Sequence, residues 1–148
     1  MTLPAAFKKR IKRRVTARDH DFFAVTAPGL ERLCARELAQ LDPAPAVAPP
    51  NAAAIEAQSI QPDTGGVSFR GRLTTLYLAN LHLRTATRVL MRLTSFKATR
   101  FDQIHRRLAD FPWELFLWQG APCEVQVTTR HSRLYHKEAI AEQVVRSM

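Results

Sequence analysis

Cysteine is scarce in this chain of 148 residues: Cys34 and Cys123 are the only two. They lie far apart and match no zinc or redox spacing. The pattern argues against a disulfide framework or a metal knuckle and leads us to expect two buried thiols in a reducing cytoplasm. Glycine is almost as sparse, with five residues, three of them within residues 65–71. Long apolar runs are missing: none approaches the roughly 18–20 residues of a membrane-spanning helix. No signal-peptide pattern appears: Lys8 to Arg14 is charged where its apolar segment would be expected. Acidic residues are absent from the first 18 positions. What remains is 46% apolar and 24% charged, enough core for one ordinary domain or two small ones.

The formal net charge of +9 is unevenly spread. Residues 1–18 hold seven basic residues, which leaves 15 basic and 13 acidic residues for the rest. The body is therefore nearly balanced and carries a cationic leader. Residues 1–20 read as a flexible basic arm that seeks polyanions; a solubilising tail and an Arg-rich transit peptide are the alternatives.

Periodicity orders the next segment. "DFFAVTA" has strand composition, with Phe23, Val25 and Ala27 alternating. Pro28 and Gly29 open a helix in which Leu30, Leu33, Cys34, Leu38 and Leu41 recur at helical spacing. The four prolines of residues 42–51 make an extended loop. "AAIEAQSI" is a second strand, and Pro62 to Gly66 a turn. In "GGVSFRG" the two leading glycines offer the positive φ a hairpin needs. Val67 and Phe69 then oppose Ser68 and Arg70. A helix starts near Leu73, with Leu73, Leu76, Leu83 and Ala86 on its apolar side. From Thr87, Val89, Met91 and Leu93 alternate with Leu90, Arg92, Thr94 and Phe96 as a fourth strand. The order β-α-β-β-α-β over residues 21–98 is the ferredoxin-like pattern, an α+β fold.

Residues 99–148 form a second α/β unit. Phe101, Ile104, Leu108 and Phe111 suit a helix ended by Pro112. "WELFLW" is apolar without a clear period. "CEVQVTTR" (123–130) alternates as a strand. Lys137 to Met148 reads as a helix with Ala141, Val144, Val145 and Met148 on its apolar side. One strand does not complete a sheet, so an exposed edge and self-association through it are expected.

Several chemistries can be weighed directly. A nucleotide P-loop needs Lys then Ser or Thr after the last glycine; Arg72-Leu73 stands there instead. "GVSFRG" resembles the "GVxFR" phosphate loop of acylphosphatases, in which the Arg grips an acyl phosphate and an Asn on a later strand orients water. Here the segment follows the second strand and Asn80 falls in a helix, which leaves an acylphosphatase-like hydrolase as a weaker alternative. His20, His82, His105, His131 and His136 are scattered without metal-ligand spacing. Ser132, between His131 and Arg133, has no apparent orienting acid.

Basic residues carry more information. Arginine outnumbers lysine 17 to 5, and guanidinium forks hold phosphates bidentately and stack on bases. Residues 84–107 contain seven basic residues against the single acid Asp102. Residues 130–137 add Arg130, Arg133 and Lys137 beside Tyr135 and His136. The candidate RNA contacts are therefore Arg84, Arg88, Lys97, Arg100, Arg130, Arg133, Tyr135, His136 and Lys137. A protein-docking module is the competing class.

The segments "APGLERLCARELAQL", "GGVSFRG", "LYLANLHLRTATRVLMRL", "FPWELFL" and "VQVTTRHSRLYHKEAIAEQVV" occur in this order. Together they resemble the amino-terminal part of bacterial THUMP-containing RNA methyltransferases, in particular the group that methylates guanine N2 of large-subunit ribosomal RNA. The resemblance covers roughly residues 21–148. It implies a ferredoxin-like domain at 21–98 and a partial THUMP domain at 99–148 that capture RNA in the cytoplasm. Methyl transfer from S-adenosylmethionine would belong to a separate Rossmann-type domain. Within it "GGVSFRG" would be a hairpin turn and third strand, and "SRLYHK" the segment preceding the THUMP helix. No "NPPY"-type motif and no glycine-rich donor loop occur in the sequence. The chain thus reads as a piece of a larger enzyme, with no catalytic residue, metal or cofactor of its own.

Overall fold

The computed structural model describes residues 4–41, 59–118, 120–130 and 132–148. It divides into two units, Met1–Thr94 and Ser95–Met148.

The first unit begins with helix α1, Ala5–Ile11, which continues into a π-helical turn, Lys12–Thr16. The leader that the sequence presents as a flexible arm is thus helical, and it has an anchor. Val15 is buried, and the His20 ring donates from Nε2 to the Val15 carbonyl at 2.7 Å. A carbonyl can only accept, so this bond fixes the hydrogen on Nε2.

Strand β1, His20–Thr26, is followed by α2, Glu31–Ala39, β2, Gln61–Asp63, and β3, Gly66–Gly71. Helix α3, Leu73–His82, and β4, Ala86–Met91, complete the unit. The four strands form one sheet in the order β2-β3-β1-β4. Every neighbouring pair is antiparallel, which is the ferredoxin-like arrangement expected from the element order. Phe22 and Ala24 of β1 meet Val67 and Phe69 of β3, with Cys34 and Leu38 of α2 and Ala79 of α3 above them. The Phe22 and Phe69 rings lie 5.3 Å apart. Each such side chain contributes about 1.5–3 kcal/mol by leaving water.

Four local expectations are corrected. The buried face of β1 is His20, Phe22, Ala24 and Thr26, not the Phe23 and Val25 row. The reason is that "FFAV" is apolar on both parities, so alternation alone could not choose. Pro28 and Gly29 form a turn, with Gly29 at φ +91°, and the helix starts only at Glu31. The expected strand "AAIEAQSI" lies mostly outside the described residues, and the observed β2 overlaps the segment read as a turn. Gln61, Pro62 and Asp63 pair with Ser68, Val67 and Gly66, leaving Thr64-Gly65 as a two-residue hairpin loop. Finally, β4 stops at Met91, short of the run to Phe96.

The two glycines of that hairpin do different work. Gly65 takes φ +82°, which a side chain would resist. Gly66 has ordinary φ but no room: a Cβ there would collide with the Ala24 carbonyl and sit 2.7 Å from the Phe23 ring.

In the second unit, α4 spans Phe101–Ala109 and buries Ile104 and Leu108. Gln103 accepts from the Thr99 N–H at 2.9 Å, closing the helix start. "WELFLW" resolves into a single 3₁₀ turn, Trp113–Leu115. Its Trp113 indole donates to the Leu108 carbonyl at 2.9 Å, and Phe111 packs against both Trp113 and Phe116. Helix α5, Lys137–Ser147, packs on α4. Its inner side is Ile140 and Val144, whereas Val145 and Met148 are exposed, contrary to expectation. Residues 123–130 alternate in burial as a strand would, but form no ladder among the described residues. Cys123, expected to be buried, is exposed on that unpaired segment; both thiols are free.

Candidate nucleic-acid interface

Each candidate contact can now be placed within its own unit. In the first, Arg84 sits in the turn between α3 and β4. Its N–H donates to Glu37 Oε2 at 3.1 Å, and Thr85 adds bonds from its N–H and hydroxyl at 3.2 and 2.8 Å. Desolvation alone would raise the Glu37 carboxyl. The Thr85 and Arg84 hydrogen bonds and the Arg84 charge outweigh it and hold the group below its ordinary value. The Arg84 main chain thus helps to fasten β4 to α2, while its guanidinium forms no ion pair among the described residues. Arg88 is free of that duty: it is exposed on β4, opposite Val25 in the register.

In the second unit, Lys97 lines an open depression of about 400 Å³ with Gln103, Arg106, Arg107 and Asp110. Arg106 and Arg107 belong to the same basic run in the sequence, and spacing on α4 brings them to Lys97. Arg100 is the most compromised candidate. Its guanidinium pairs with Asp102 at 3.0 Å, and Asp102 also holds Arg106 at 3.5 Å. Exposed pairs of this kind are worth little, but each occupies a cation.

Arg130 borders a groove of about 410 Å³ formed with Phe96, Ile104, Val127, Ile140 and Val144. Arg133, Tyr135, His136 and Lys137 follow on the approach to α5, all exposed. The Tyr135 and His136 rings lie 4.2 Å apart, and His136 is the residue preceding the first helical turn. Among the described residues Arg84, Arg88, Arg130, Arg133 and Lys137 form no ion pair.

Hydrolytic and metal chemistries find less support. "GVSFRG" is a hairpin end and strand, not a phosphate-binding loop, and the Asn80 amide donates to Leu76 O inside α3 at 2.8 Å. Asn80 is thus placed to hold its own helix, not a water above Arg70. Ser132 accepts the Leu134 N–H at 3.1 Å, a local turn bond; His131 lies outside the described residues. No three metal-ligating side chains converge among the described residues. None of the described helices is long and apolar enough to cross a membrane.

Residues 21–90 match the family described as the RlmL ferredoxin-like domain. The chain is 34% identical over 131 residues to the ribosomal RNA large subunit methyltransferase K/L of Methylococcus capsulatus, covering 83% of this chain and 16% of that protein. A crystal structure from Listeria monocytogenes, described as a predicted N6-adenine-specific DNA methylase, superposes with a TM-score of 0.72 at 28% identity. It covers 88% of this chain and 30% of that one. SMU.472, described as a candidate methyltransferase and crystallised with SAH, shares the fold with a TM-score of 0.68 at 22% identity, over 88% of this chain and 31% of that one. The chain thus spans under a third of each of these proteins. Residues 21–90 thus match the RlmL ferredoxin-like domain, and the chain is similar over most of its length to part of the ribosomal RNA large subunit methyltransferases K/L.

Proposed function

We propose that this chain is the RNA-capturing portion of an S-adenosylmethionine-dependent methyltransferase acting on guanine N2 of large-subunit ribosomal RNA, in the cytoplasm. The second unit is read as part of a THUMP domain, and the domain limits as 21–98 and 99–148 after a basic arm at 1–20. The observation that carries the reading is the set of exposed cations, Arg88, Arg130, Arg133 and Lys137, that have no carboxylate partner among the described residues, in a relative of ribosomal RNA methyltransferases. Phosphates would meet these side chains, with Tyr135 and His136 available for stacking, and RNA shape would count for more than base edges. Lys97 contributes with Arg107, and so does Arg84, whose guanidinium is unpaired among the described residues; Arg100 and Arg106 contribute less, given their pairs with Asp102.

S-adenosylmethionine supplies the methyl group in this reading, but the glycine-rich stretch of this chain does not fit it. Gly66 and Gly71 are filled against Phe23 and Thr75 and leave no cradle between them. Methyl transfer is accordingly assigned to the regions that the longer relatives carry. The unpaired segment 123–130 supports self-association by edge pairing.

Binding of the chain to a structured ribosomal RNA hairpin, measured against salt, tests the reading. Affinity resting on Z phosphate contacts falls with log salt at a slope of about −0.7Z to −0.9Z. Absent or salt-independent binding would instead favour a protein-docking module, to which the exposed Tyr77 and Leu81 of α3 would contribute.

A further inference from the structure

Among the described residues, the helices α2 and α3 pack on one face of the ferredoxin-like sheet. The register defines the other. Asp21, Phe23 and Val25 of β1 lie beside Arg70, Ser68 and Gly66 of β3, and Phe23 and Val25 beside Leu90 and Arg88 of β4. Arg92, one residue past β4, joins this row because its N–H donates to the Asp21 carbonyl at 2.8 Å. Phe23 therefore sits centrally, with Ser68 and Leu90 directly across and Arg70, Arg88 and Arg92 on the diagonals. Diagonal neighbours on a sheet lie within reach of aromatic and long side chains.

Two features suggest that this face is built to receive something. Phe23 is half-buried, with its ring laid over Gly66, where a Cβ would press against the ring edge. A glycine at this point lets an aromatic lie on the strand. Next, Arg70, Arg88 and Arg92 are all exposed and form no ion pair among the described residues. Asp21 is the carboxylate in their midst; Asp63, at the hairpin end, accepts the Thr64 N–H at 2.7 Å. Arg70 and Arg92 also border an open depression of about 240 Å³ with Asp21, Ser59, Gln61 and Ser68. Phe23 does not line that depression, which places polar groups beside the aromatic.

We infer that the open sheet face binds a single-stranded segment of RNA, stacking an unpaired base on Phe23 and holding the flanking phosphates with Arg70, Arg88 and Arg92. Charge complementarity selects a polyanion, and the central aromatic selects a splayed base over a stacked helix. The inference rests on the RNA-capturing function proposed above and adds a surface that does not depend on the Arg130–Lys137 segment.

The test uses the full chain, a short oligouridine carrying 5-iodouridine, and a structured ribosomal RNA hairpin. Photocrosslinking followed by peptide mass spectrometry should place the adduct on Phe23. Phe23→Leu keeps apolar packing over Gly66 and should weaken oligouridine binding about five-fold or more. Arg70→Gln with Arg92→Gln should flatten the salt slope by about 1.4 to 1.8; these exposed residues offer a readout even if Phe23→Leu fails to fold. Adducts confined to residues 95–148, or unchanged oligouridine binding in the arginine variant, would overturn the inference while leaving RNA capture intact. Hairpin binding without oligouridine binding would do the same. Failure to bind either RNA would remove the RNA reading and this surface together.

Discussion

Ala24, Cys34, Leu38, Val67 and Ala79 of the first unit are wholly shielded from water, whereas the deepest apolar side chains of the second, Ile104, Leu108 and Leu115, keep 7–8% exposure. The two units have similar ingredients, amphipathic helices and alternating apolar segments. What differs is the sheet. In the first, four paired strands present a continuous apolar layer for α2 and α3 to close. In the second, α4 and α5 pack on each other, and residues 123–130 have strand-like alternation without a partner strand among the described residues. A helix can bury only one stripe against one neighbour, while a sheet gives it a second layer. Burial depth here follows strand pairing more than composition.

The sharpest way to break this comparison is a matched pair of core truncations. Leu38→Ala should cost about 4–5 kcal/mol and Leu108→Ala about 2–3, within the usual range for buried leucines. Urea denaturation followed by hydrogen exchange in each unit measures both, and equal costs would dissolve the contrast. Gly66→Ala comes next, at about 1–3 kcal/mol, because the new methyl must displace the Phe23 ring or the β1 backbone.

Acid should separate the units through α2. Glu31 accepts from the Gly29 and Gly65 N–H groups at 2.8 and 3.2 Å, and its carboxyl is lowered chiefly by backbone hydrogen bonds, its own first and then Gly65. Glu37 is lowered as well. A carboxyl whose folded pKa is depressed stabilises the fold above its unfolded value and loses that contribution as pH falls through the folded one. The ordinary value is 4.5 for both, so the melting temperature of the first unit should decline progressively below about that pH. Glu37→Gln should lower the neutral-pH melting temperature and flatten the decline; an unaltered profile would mean the carboxylate is idle. The smallest effect belongs to the exposed candidates. Arg133→Gln and Lys137→Gln should leave stability unchanged and each reduce the salt slope of RNA binding by about one.

The order of elements in the first unit was legible because helix and strand periods differ enough to be told apart even in short segments. Side assignment was less secure. "FFAV" carries apolar groups on both parities, so only pairing with Val67 and Phe69 reveals that Phe22 and Ala24 face inward. That ambiguity also hid the second face: with the inward parity of β1 undecided, nothing tied Arg70 and Arg92 to Arg88. The hairpin was foreseen near Gly65, but its turn was drawn too wide and its glycines were given one role, whereas only Gly65 has positive φ. Charge runs located the candidate cations, but sequence could not show that Arg100 is held by Asp102 or that Asp102 also holds Arg106. In α5, the choice of Ile140 and Val144 over Val145 and Met148 depends on where α4 lies, which no local pattern encodes.

The carboxylates of α2 have a structural corollary. Glu31 reaches forward to the hairpin loop at Gly65, and Glu37 to the entry of β4 at Arg84 and Thr85. The helix is thereby clasped at both ends to the later half of its own domain by side chains, independently of the covalent tether between Ala39 and Gln61. Such a clasp relieves that tether of the task of positioning the helix, so insertions or deletions within it can accumulate while the fold around them stays in register.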